Sequence, residues 1–207
     1  MIQGLIFDLD GTLVKLHIDE KLLKKKLQSF FKTDDELTPL IPAILHLAEN
    51  NSNLIQKAFT TICDEEIKAS ENMELINDSI SFLNILHSKN IKLCLVTMQC
   101  RAATEKILNK LKIKEIFSNV LTRDEFPERV EQLRKSLALA NLKPHDAIVV
   151  GDRLHDVICA DEIGCNSILI KKNIQLYEKK IPDSTKLAMD FSEAESILTD
   201  LLDKQII

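Results

Sequence analysis

Residues 5–12 read Leu-Ile-Phe-Asp-Leu-Asp-Gly-Thr, a short apolar run that ends in two acids and a glycine. Side chains two positions apart in an extended chain point the same way, so Asp8 and Asp10 can face one site. Adjacent carboxylates repel each other unless a divalent cation neutralises one of them or one carries a proton. The stretch therefore predicts a buried strand that delivers a reactive pair of acids.

Short apolar runs of the same kind recur along the chain, with helical patterns between them. The runs are Leu93–Val96, Ala147–Val150, Ser167–Ile170 and, more weakly, Asn119–Leu121. The helical patterns cover Ser79–Lys89, Arg101–Leu111, Glu128–Ala140 and, at the end, Phe191–Leu202. Runs this short and apolar indicate parallel strands buried on both faces. The alternation predicts an α/β fold with a doubly wound parallel sheet and right-handed crossovers.

Residues 15–74 break this alternation. They show three helical patterns, Leu22–Phe31, Pro39–Glu49 and Leu54–Ala69, and no strand between them. We predict a small helical cap here, inserted after the first strand, with residues 1–14 and 75–207 forming the core. Such an insertion would hang over the carboxyl edge of the sheet, where open α/β folds bind ligands. We expect the cap to set the substrate, which the sequence does not name.

A second group of acids follows the run that ends at Val150. Asp152 comes two residues later, and Asp156 shares its face if a helix begins there. A parallel sheet brings this strand end to the same edge as Asp8, and converging carboxylates suit Mg²⁺. The chain has only four glycines, and Gly11 and Gly151 both adjoin these acids, which predicts unusual backbone angles or a close ligand approach.

Composition excludes several classes of function. A formal net charge of -5 argues against nucleic acid as a partner. No apolar segment is long enough to span a membrane, and we expect a cytoplasmic protein. Five cysteines form no C-x-x-C pair, so free thiols in a reducing compartment are expected, with a reactive Cys100 as the alternative. Glu65 and Glu66 in the cap are interpreted as a solvated face.

The chain resembles the haloacid dehalogenase-like superfamily, and specifically its capped, phosphoglycolate phosphatase-like phosphatases. The resemblance is carried by Asp8-Leu9-Asp10-Gly11-Thr12 after an apolar strand, and by Val150-Gly151-Asp152 followed by Asp156. It covers nearly the whole chain. The resemblance implies a Mg²⁺-dependent phosphomonoester hydrolase that forms an aspartyl-phosphate on a small phosphorylated metabolite.

The resemblance also implies roles for individual residues. Asp8 would be the nucleophile and a metal ligand. Asp10 would protonate the leaving group, later activate water, and lend its backbone carbonyl to Mg²⁺. Asp152 would complete the metal site, with Asp156 as a further ligand or as its support. Thr97, which ends the run Leu93–Val96, would be the phosphate-binding hydroxyl.

The cation that pairs with the nucleophile and the phosphoryl group is harder to place. The family's usual lysine position falls near Pro127, where this chain has no lysine. Arg129 follows two residues later and is our prediction for this role. Arg123 and Arg134 are the alternatives.

Two other functions stay open at this point. A phosphomutase of the same fold would interconvert sugar phosphates without releasing phosphate. A regulatory protein would bind a phosphorylated ligand with little turnover, although such a protein has no physical need to keep Asp10 beside Asp8. Whether the protein is a monomer or a homodimer does not follow from the sequence.

Overall fold

A computed structural model describes residues 2–171 and 180–203 of the chain. The strands are β1 (Gly4–Phe7), β2 (Val14–Lys15), β3 (Glu74–Leu75), β4 (Lys92–Val96), β5 (Phe117–Leu121), β6 (Ala147–Gly151), β7 (Asn166–Ile170) and β8 (Thr185–Ala188). The helices are α1 (Glu20–Phe31), α2 (Leu40–Leu47), α3 (Ser52–Glu71), α4 (Ser79–Ser88), α5 (Arg101–Leu111), α6 (Arg129–Ala140), α7 (Leu154–Glu162) and α8 (Phe191–Asp203).

Six of these strands form one parallel sheet in the order β5-β4-β1-β6-β7-β8. The first strand lies inside the sheet, between β4 and β6. All five predicted apolar runs are strands of this sheet, including the weak one, which lies within β5. The predicted α/β class with a doubly wound parallel sheet is confirmed.

Helices cover both faces of the sheet, and alternate residues of β1 point to opposite faces. Leu5 and Phe7 pack in an apolar cluster with residues of α4, α5 and α8. Ile6 lies in a second cluster with residues of α6 and α7. All three side chains are fully buried. This two-sided burial explains why the parallel strands are continuous apolar runs.

The insertion between β2 and β3 contains α1, α2 and α3, as the helical patterns indicated. It has its own apolar cluster, which includes Leu27, Leu37 and Ile44. Asp19 and Asn51 cap the first and third helices, because each side chain accepts backbone N–H bonds from the first turn. The boundaries of the cap at residues 15 and 74 stay a prediction.

Two features were not predicted. The two-residue strands β2 and β3 pair antiparallel, with Val14 opposite Leu75, and join the two ends of the helical insertion. The edge strand β8 pairs with β7 and extends the sheet. The strands β2 and β3 were missed because each has only two residues. The strand β8 was missed because it mixes buried with exposed residues. The pairing of β2 with β3 ties the cap to the segment that follows Asp10.

The cysteine prediction was partly wrong. Cys63 of α3 and Cys100, which precedes α5, form a disulfide. The other three cysteines are free and buried. The pairing joins residues 37 positions apart, so no local sequence motif marks it. None of the helices within residues 2–171 and 180–203 is long and apolar enough to cross a membrane.

Candidate active site

The acids of both predicted groups meet at the carboxyl edge of the central strands. Asp8 follows β1 directly, and its backbone N–H donates to the carbonyl of Val150 in β6 at 3.0 Å. Asp152 follows β6, and Asp156 lies in the first turn of α7. Carboxylate oxygens of Asp8, Asp152 and Asp156 all lie within 4.8 Å of one another. The predicted convergence of acids from distant segments is present.

Two glycines make room for this convergence. Gly11 has a φ of 91°, and a Cβ there would collide with the carboxylate of Asp152. A Cβ on Gly151 would stand 2.6 Å from an oxygen of Asp156. A side chain at either position would therefore displace an acid of the site. This explains two of the glycines in a chain that uses few of them.

Asp10 lies beside the three acids but does not join them. The turn that carries it is closed by a bond from the Gly11 N–H to the carbonyl of Val14 at 2.7 Å. One carboxylate oxygen of Asp10 accepts the N–H of Leu16 at 2.8 Å. Its side chain does not belong to the group formed by Asp8, Asp152 and Asp156. The expected use of its backbone carbonyl as a metal ligand stays a prediction.

Arg129, the first residue of α6, reaches the acid cluster. Its Nη2 donates to Oδ1 of Asp8 at 2.6 Å. Its Nε lies 3.2 Å from Oδ1 of Asp156, close enough for an ion pair although not aligned as a hydrogen bond. The guanidinium is buried together with both carboxylates. Of the three candidate arginines, this one is in contact with Asp8.

The other two candidate arginines lie elsewhere. Arg123 forms a buried ion pair with Glu66 of the cap, at 2.7 Å between Nη1 and Oε1. Arg134 pairs with Glu162 at 3.3 Å on the surface. The interpretation of Glu66 as part of a solvated face was wrong, because a buried cation from the core reaches it. Glu65 is more exposed and contacts Lys26 and Lys68.

Thr97 follows β4 and is buried at the same edge of the sheet. Its hydroxyl accepts the N–H of Gln99 at 3.1 Å, which leaves the hydroxyl proton available to a ligand. The side-chain nitrogen of Gln132 donates to the Thr97 carbonyl at 2.9 Å. The amide oxygen of Gln132 accepts from Nη1 of Arg129 at 3.1 Å. Gln132 thus joins the two expected phosphate contacts.

Sequence analysis missed Gln132. Its signal was weak but present, because it lies three positions after Arg129 and such residues share a helix face. The side chain is fully buried and also donates to the carbonyl of Phe126 at 2.8 Å. An amide with this many partners holds its neighbours in fixed positions.

Three acids of the site, Asp8, Asp10 and Asp152, hold their protons more tightly than free aspartates. Burial raises the pKa of Asp8 to about 7, with a further contribution from the charges of Asp156 and Asp152, while Arg129 opposes the shift. Burial also raises the pKa of Asp152 to about 6 and lifts the pKa of Asp10 above its usual value. The ionised forms of these carboxylates are therefore disfavoured, and a bound divalent cation would favour them.

The residues fit a bound Mg²⁺. Three carboxylates from different segments offer hard oxygen ligands at one point, which is the donor set this cation prefers. Oδ1 of Asp152 is buried and has no hydrogen-bond partner. A buried carboxylate oxygen without a partner is costly, and a cation would remove that cost. Asp8, Asp152 and Asp156 are the side chains that would hold it.

Comparisons with known proteins agree with this geometry. A sequence model of the family described as haloacid dehalogenase-like hydrolase matches residues 5–170. A protein named pyrophosphatase PpaX, from Bacillus cereus (strain B4264), is 26% identical over 185 residues, which cover 82% of this chain and 83% of that protein.

Solved structures show the same fold. A predicted phosphoglycolate phosphatase from Haemophilus somnus 129PT has a TM-score of 0.68 at 19% identity, over 95% of this chain and 98% of that one. A HAD phosphatase from Thermococcus onnurineus has a TM-score of 0.66 at 20% identity, over 95% and 98%. The likeness therefore extends over the helical insertion as well as the sheet.

Proposed function

Because the chain belongs to the haloacid dehalogenase-like hydrolase family, we propose that it is a Mg²⁺-dependent phosphomonoester hydrolase that acts through an aspartyl-phosphate on Asp8. One arrangement supports this above all others. Asp8 stands at a strand end, held by Arg129 at 2.6 Å and surrounded by two further carboxylates. An aspartate so placed can act as a covalent nucleophile toward a phosphoryl group.

In the first step an oxygen of Asp8 attacks the phosphorus of the substrate. The bond between phosphorus and the leaving oxygen breaks, and Asp10 gives its proton to that oxygen. Burial raises the pKa of Asp10, which favours the protonated acid that this step requires. The bond from Leu16 N–H to Asp10 Oδ1 at 2.8 Å fixes the orientation of the carboxyl group.

In the second step the ionised Asp10 takes a proton from water. The water oxygen bonds to phosphorus, and the bond from phosphorus to Asp8 breaks. Phosphate leaves, and Asp8 returns as a carboxylate with Arg129 beside it. One residue thus serves as the acid and then as the base, and its protonation state is restored after each turnover.

Mg²⁺ would be held by Asp8, Asp152 and Asp156. When bound, it would offset the negative charge of the cluster, so that an anionic carboxylate and an anionic phosphoryl group can approach each other. Arg129 contributes a fixed positive charge at the same point. Its bonds to Asp8 and Gln132 hold the guanidinium in place before substrate arrives.

The phosphoryl oxygens would be bound by Arg129 and by the hydroxyl of Thr97. Gln132 bonds to both residues and so sets the spacing between them. Preorganised donors of this kind stabilise the charge that develops during transfer, and they need no rearrangement at the moment of reaction.

The proposed substrate is a small phosphorylated metabolite. Pyrophosphate belongs among the compounds to test, because relatives carry the name pyrophosphatase PpaX. We propose a monomer or homodimer that binds neither nucleic acid nor membrane. A cytoplasmic location is also part of the proposal and is supported by the three free, buried cysteines. The Cys63–Cys100 disulfide argues against this location, because the reductants of the cytoplasm keep most cysteines reduced.

The test is phosphate release from a panel of phosphomonoesters that also includes pyrophosphate, measured with Mg²⁺ and with a chelator. Asp8→Asn should abolish release while its circular dichroism spectrum stays native. The control variant Asp200→Asn, on the exposed face of α8, should keep full activity. Mass spectrometry of acid-quenched turnover should find a phosphoryl group on Asp8. Retained activity in Asp8→Asn would overturn the mechanism.

The same assay separates the two alternative functions. Interconversion of sugar phosphates without release of phosphate would indicate a phosphomutase. Tight binding of a phosphorylated compound with no turnover in the presence of Mg²⁺ would indicate a regulatory role.

A further inference from the structure

Arg123 and Glu66 form an ion pair between the core and the cap that the proposed mechanism does not use. Arg123 follows β5, and Glu66 lies on α3. Two parallel bonds join them, at 2.7 Å from Nη1 to Oε1 and at 3.1 Å from Nη2 to Oε2. Their side chains are only 1% and 3% exposed. A paired contact of this kind fixes orientation as well as distance.

The pair also bonds to the loop of residues 97–100, which carries Thr97. Oε2 of Glu66 accepts the backbone N–H of Cys100 at 2.8 Å. Nη1 of Arg123 donates to the carbonyl of Met98, and the Arg123 backbone N–H donates to the carbonyl of Gln99 at 3.3 Å. Three consecutive residues after Thr97 are therefore held by this one pair.

The residues of the cap that contact Arg123 and the 97–100 loop lie on one face of α3. Phe59, Cys63 and Glu66 lie three and four positions apart, which places them on one helix face. The guanidinium of Arg123 stands 5.0 Å above the ring of Phe59. Cys63 is bonded to Cys100 in the same loop. We call this set the cap seam: Phe59, Cys63 and Glu66 on α3, with Cys100 and Arg123 on the core.

Stability alone does not account for the polar part of the seam. Burying two charges costs desolvation energy, and an apolar pair of similar volume often stabilises a protein as well or better. An apolar pair could not bond to the N–H of Cys100 or to the carbonyl of Met98. What the polar pair adds is therefore a fixed position for the loop.

We propose that Glu66 and Arg123 are positioning residues, which hold the 97–100 loop so that the Thr97 hydroxyl meets the substrate's phosphoryl group. The inference rests on the proposed function, in which Thr97 binds phosphate. It gives the cap a part in phosphate binding that is separate from substrate selection. A reacting group displaced by about 1 Å can cost on the order of a hundredfold in rate.

The test is the double variant Glu66→Leu/Arg123→Met, which replaces the ion pair with side chains of similar size. We expect it to fold, because it leaves neither charge buried alone and keeps the disulfide. Its kcat/KM should fall roughly 10–100-fold, and calorimetry should show weaker binding of inorganic phosphate. Adding Thr97→Val should then cost much less than it costs in the native chain, since the two changes act through one contact.

A matched control pair also joins α3 to the core. Glu71 of α3 and Lys106 of α5 form a surface pair at 2.9 Å, and no bond of that pair reaches the 97–100 loop. Glu71→Gln should leave kcat/KM and phosphate affinity unchanged. If the double variant does not fold, Glu66→Gln and Arg123→Lys replace it, because each keeps part of the bonding and should show the same coupling to Thr97→Val at smaller size.

Several outcomes would overturn the inference. A folded double variant with native kcat/KM and phosphate affinity would leave the pair a purely structural role. If the losses in kcat/KM from the double variant and from Thr97→Val simply add, the pair likewise has only a structural role. If the native chain binds phosphate but releases none from any substrate, the proposed hydrolase function is wrong. The phosphate affinity of the double variant, compared with that of the native chain, would still show whether the pair positions Thr97.

Discussion

Within the part of the chain that the structure describes, charged side chains are buried both at the acid edge and at the cap seam, and the charges of these two regions are balanced differently. At the acid edge, the carboxylates of Asp8, Asp152 and Asp156 lie close together. Arg129 pairs with Asp8 and Asp156, and the charges of Arg153 and Lys171 oppose the rise in the pKa of Asp152. At the cap seam one carboxylate meets one guanidinium through two bonds.

The difference indicates that the acid edge is suited to bind a ligand, whereas the cap seam holds the cap and the core in a fixed arrangement. At the acid edge, one carboxylate oxygen of Asp152 is buried without a hydrogen-bond partner, and a bound cation could supply that partner. In the cap seam every carboxylate oxygen of Glu66 is bonded to the core. Removing one member of the ion pair should therefore destabilise the protein at the seam, whereas binding of a cation at the acid edge should stabilise it.

The largest effect on stability is expected from breaking the seam on one side only. Arg123→Met leaves the carboxylate of Glu66 buried without its cation. Removing one partner of a buried ion pair typically costs about 3–5 kcal/mol. Urea unfolding monitored by circular dichroism should show a loss of that size. A loss below about 1 kcal/mol would mean that water reaches Glu66 and that the seam is not closed to solvent.

The second largest effect on stability is expected from reducing the disulfide of the seam. It closes a loop between residues 37 positions apart, and the chain-entropy model together with typical measurements gives about 2–4 kcal/mol for such a link. A dithiol reductant should lower the free energy of unfolding by that amount. Cys63→Ser should be less stable from the start and insensitive to the reductant. An equal response in both proteins would show that the reductant acts elsewhere.

The acid edge was predictable from sequence because its residues are fixed by local rules. Asp8, Asp10 and Asp152 follow apolar strands, and a parallel sheet brings such strand ends together whatever the rest of the chain does. Arg129 was placed from the family resemblance, because it lies two residues after Pro127, near which the family has its lysine. Gly11 and Gly151 were identified because each lies next to an acid.

The seam could not be predicted in this way. Glu66 and Arg123 are 57 positions apart, and their pairing depends on how the cap packs against the core. Glu66 is charged and sits among charged neighbours, so its local pattern resembled a solvated helix face. Cys63 and Cys100 gave no spacing signal for the same reason. Gln132 was missed because its only signal, a position three residues after Arg129 on the same helix face, is weak.

The acid edge should respond to pH and to metal together. The folded-state pKa of Asp8 is raised to about 7, so without a cation the protein loses stability as pH rises from about 4 to 7. Mg²⁺ requires the ionised carboxylate, so its binding weakens as the pH falls below 7. Stabilisation by a fixed, saturating concentration of Mg²⁺ should be about 2 kcal/mol larger at pH 8 than at pH 5.5.

Thermal or urea unfolding with Mg²⁺ and with a chelator at both pH values measures this difference. Asp8→Asn removes the titrating group and should shrink the pH dependence of the Mg²⁺ effect. A stabilisation that is the same at both pH values in the native chain would show that Mg²⁺ binds away from Asp8.

The smallest effect is expected at Arg134, which sequence analysis treated as an alternative to Arg129 alongside Arg123. Its pair with Glu162 spans 3.3 Å, with side chains 59% and 56% exposed, and exposed pairs contribute about 0–1 kcal/mol. Arg134→Met should therefore change unfolding by less than about 0.5 kcal/mol and leave kcat/KM unaltered. It makes the same substitution as Arg123→Met, so the contrast isolates burial of the pair. Equal losses in both variants would mean that removing any arginine destabilises this fold, and that burial of the Glu66–Arg123 pair has no special effect.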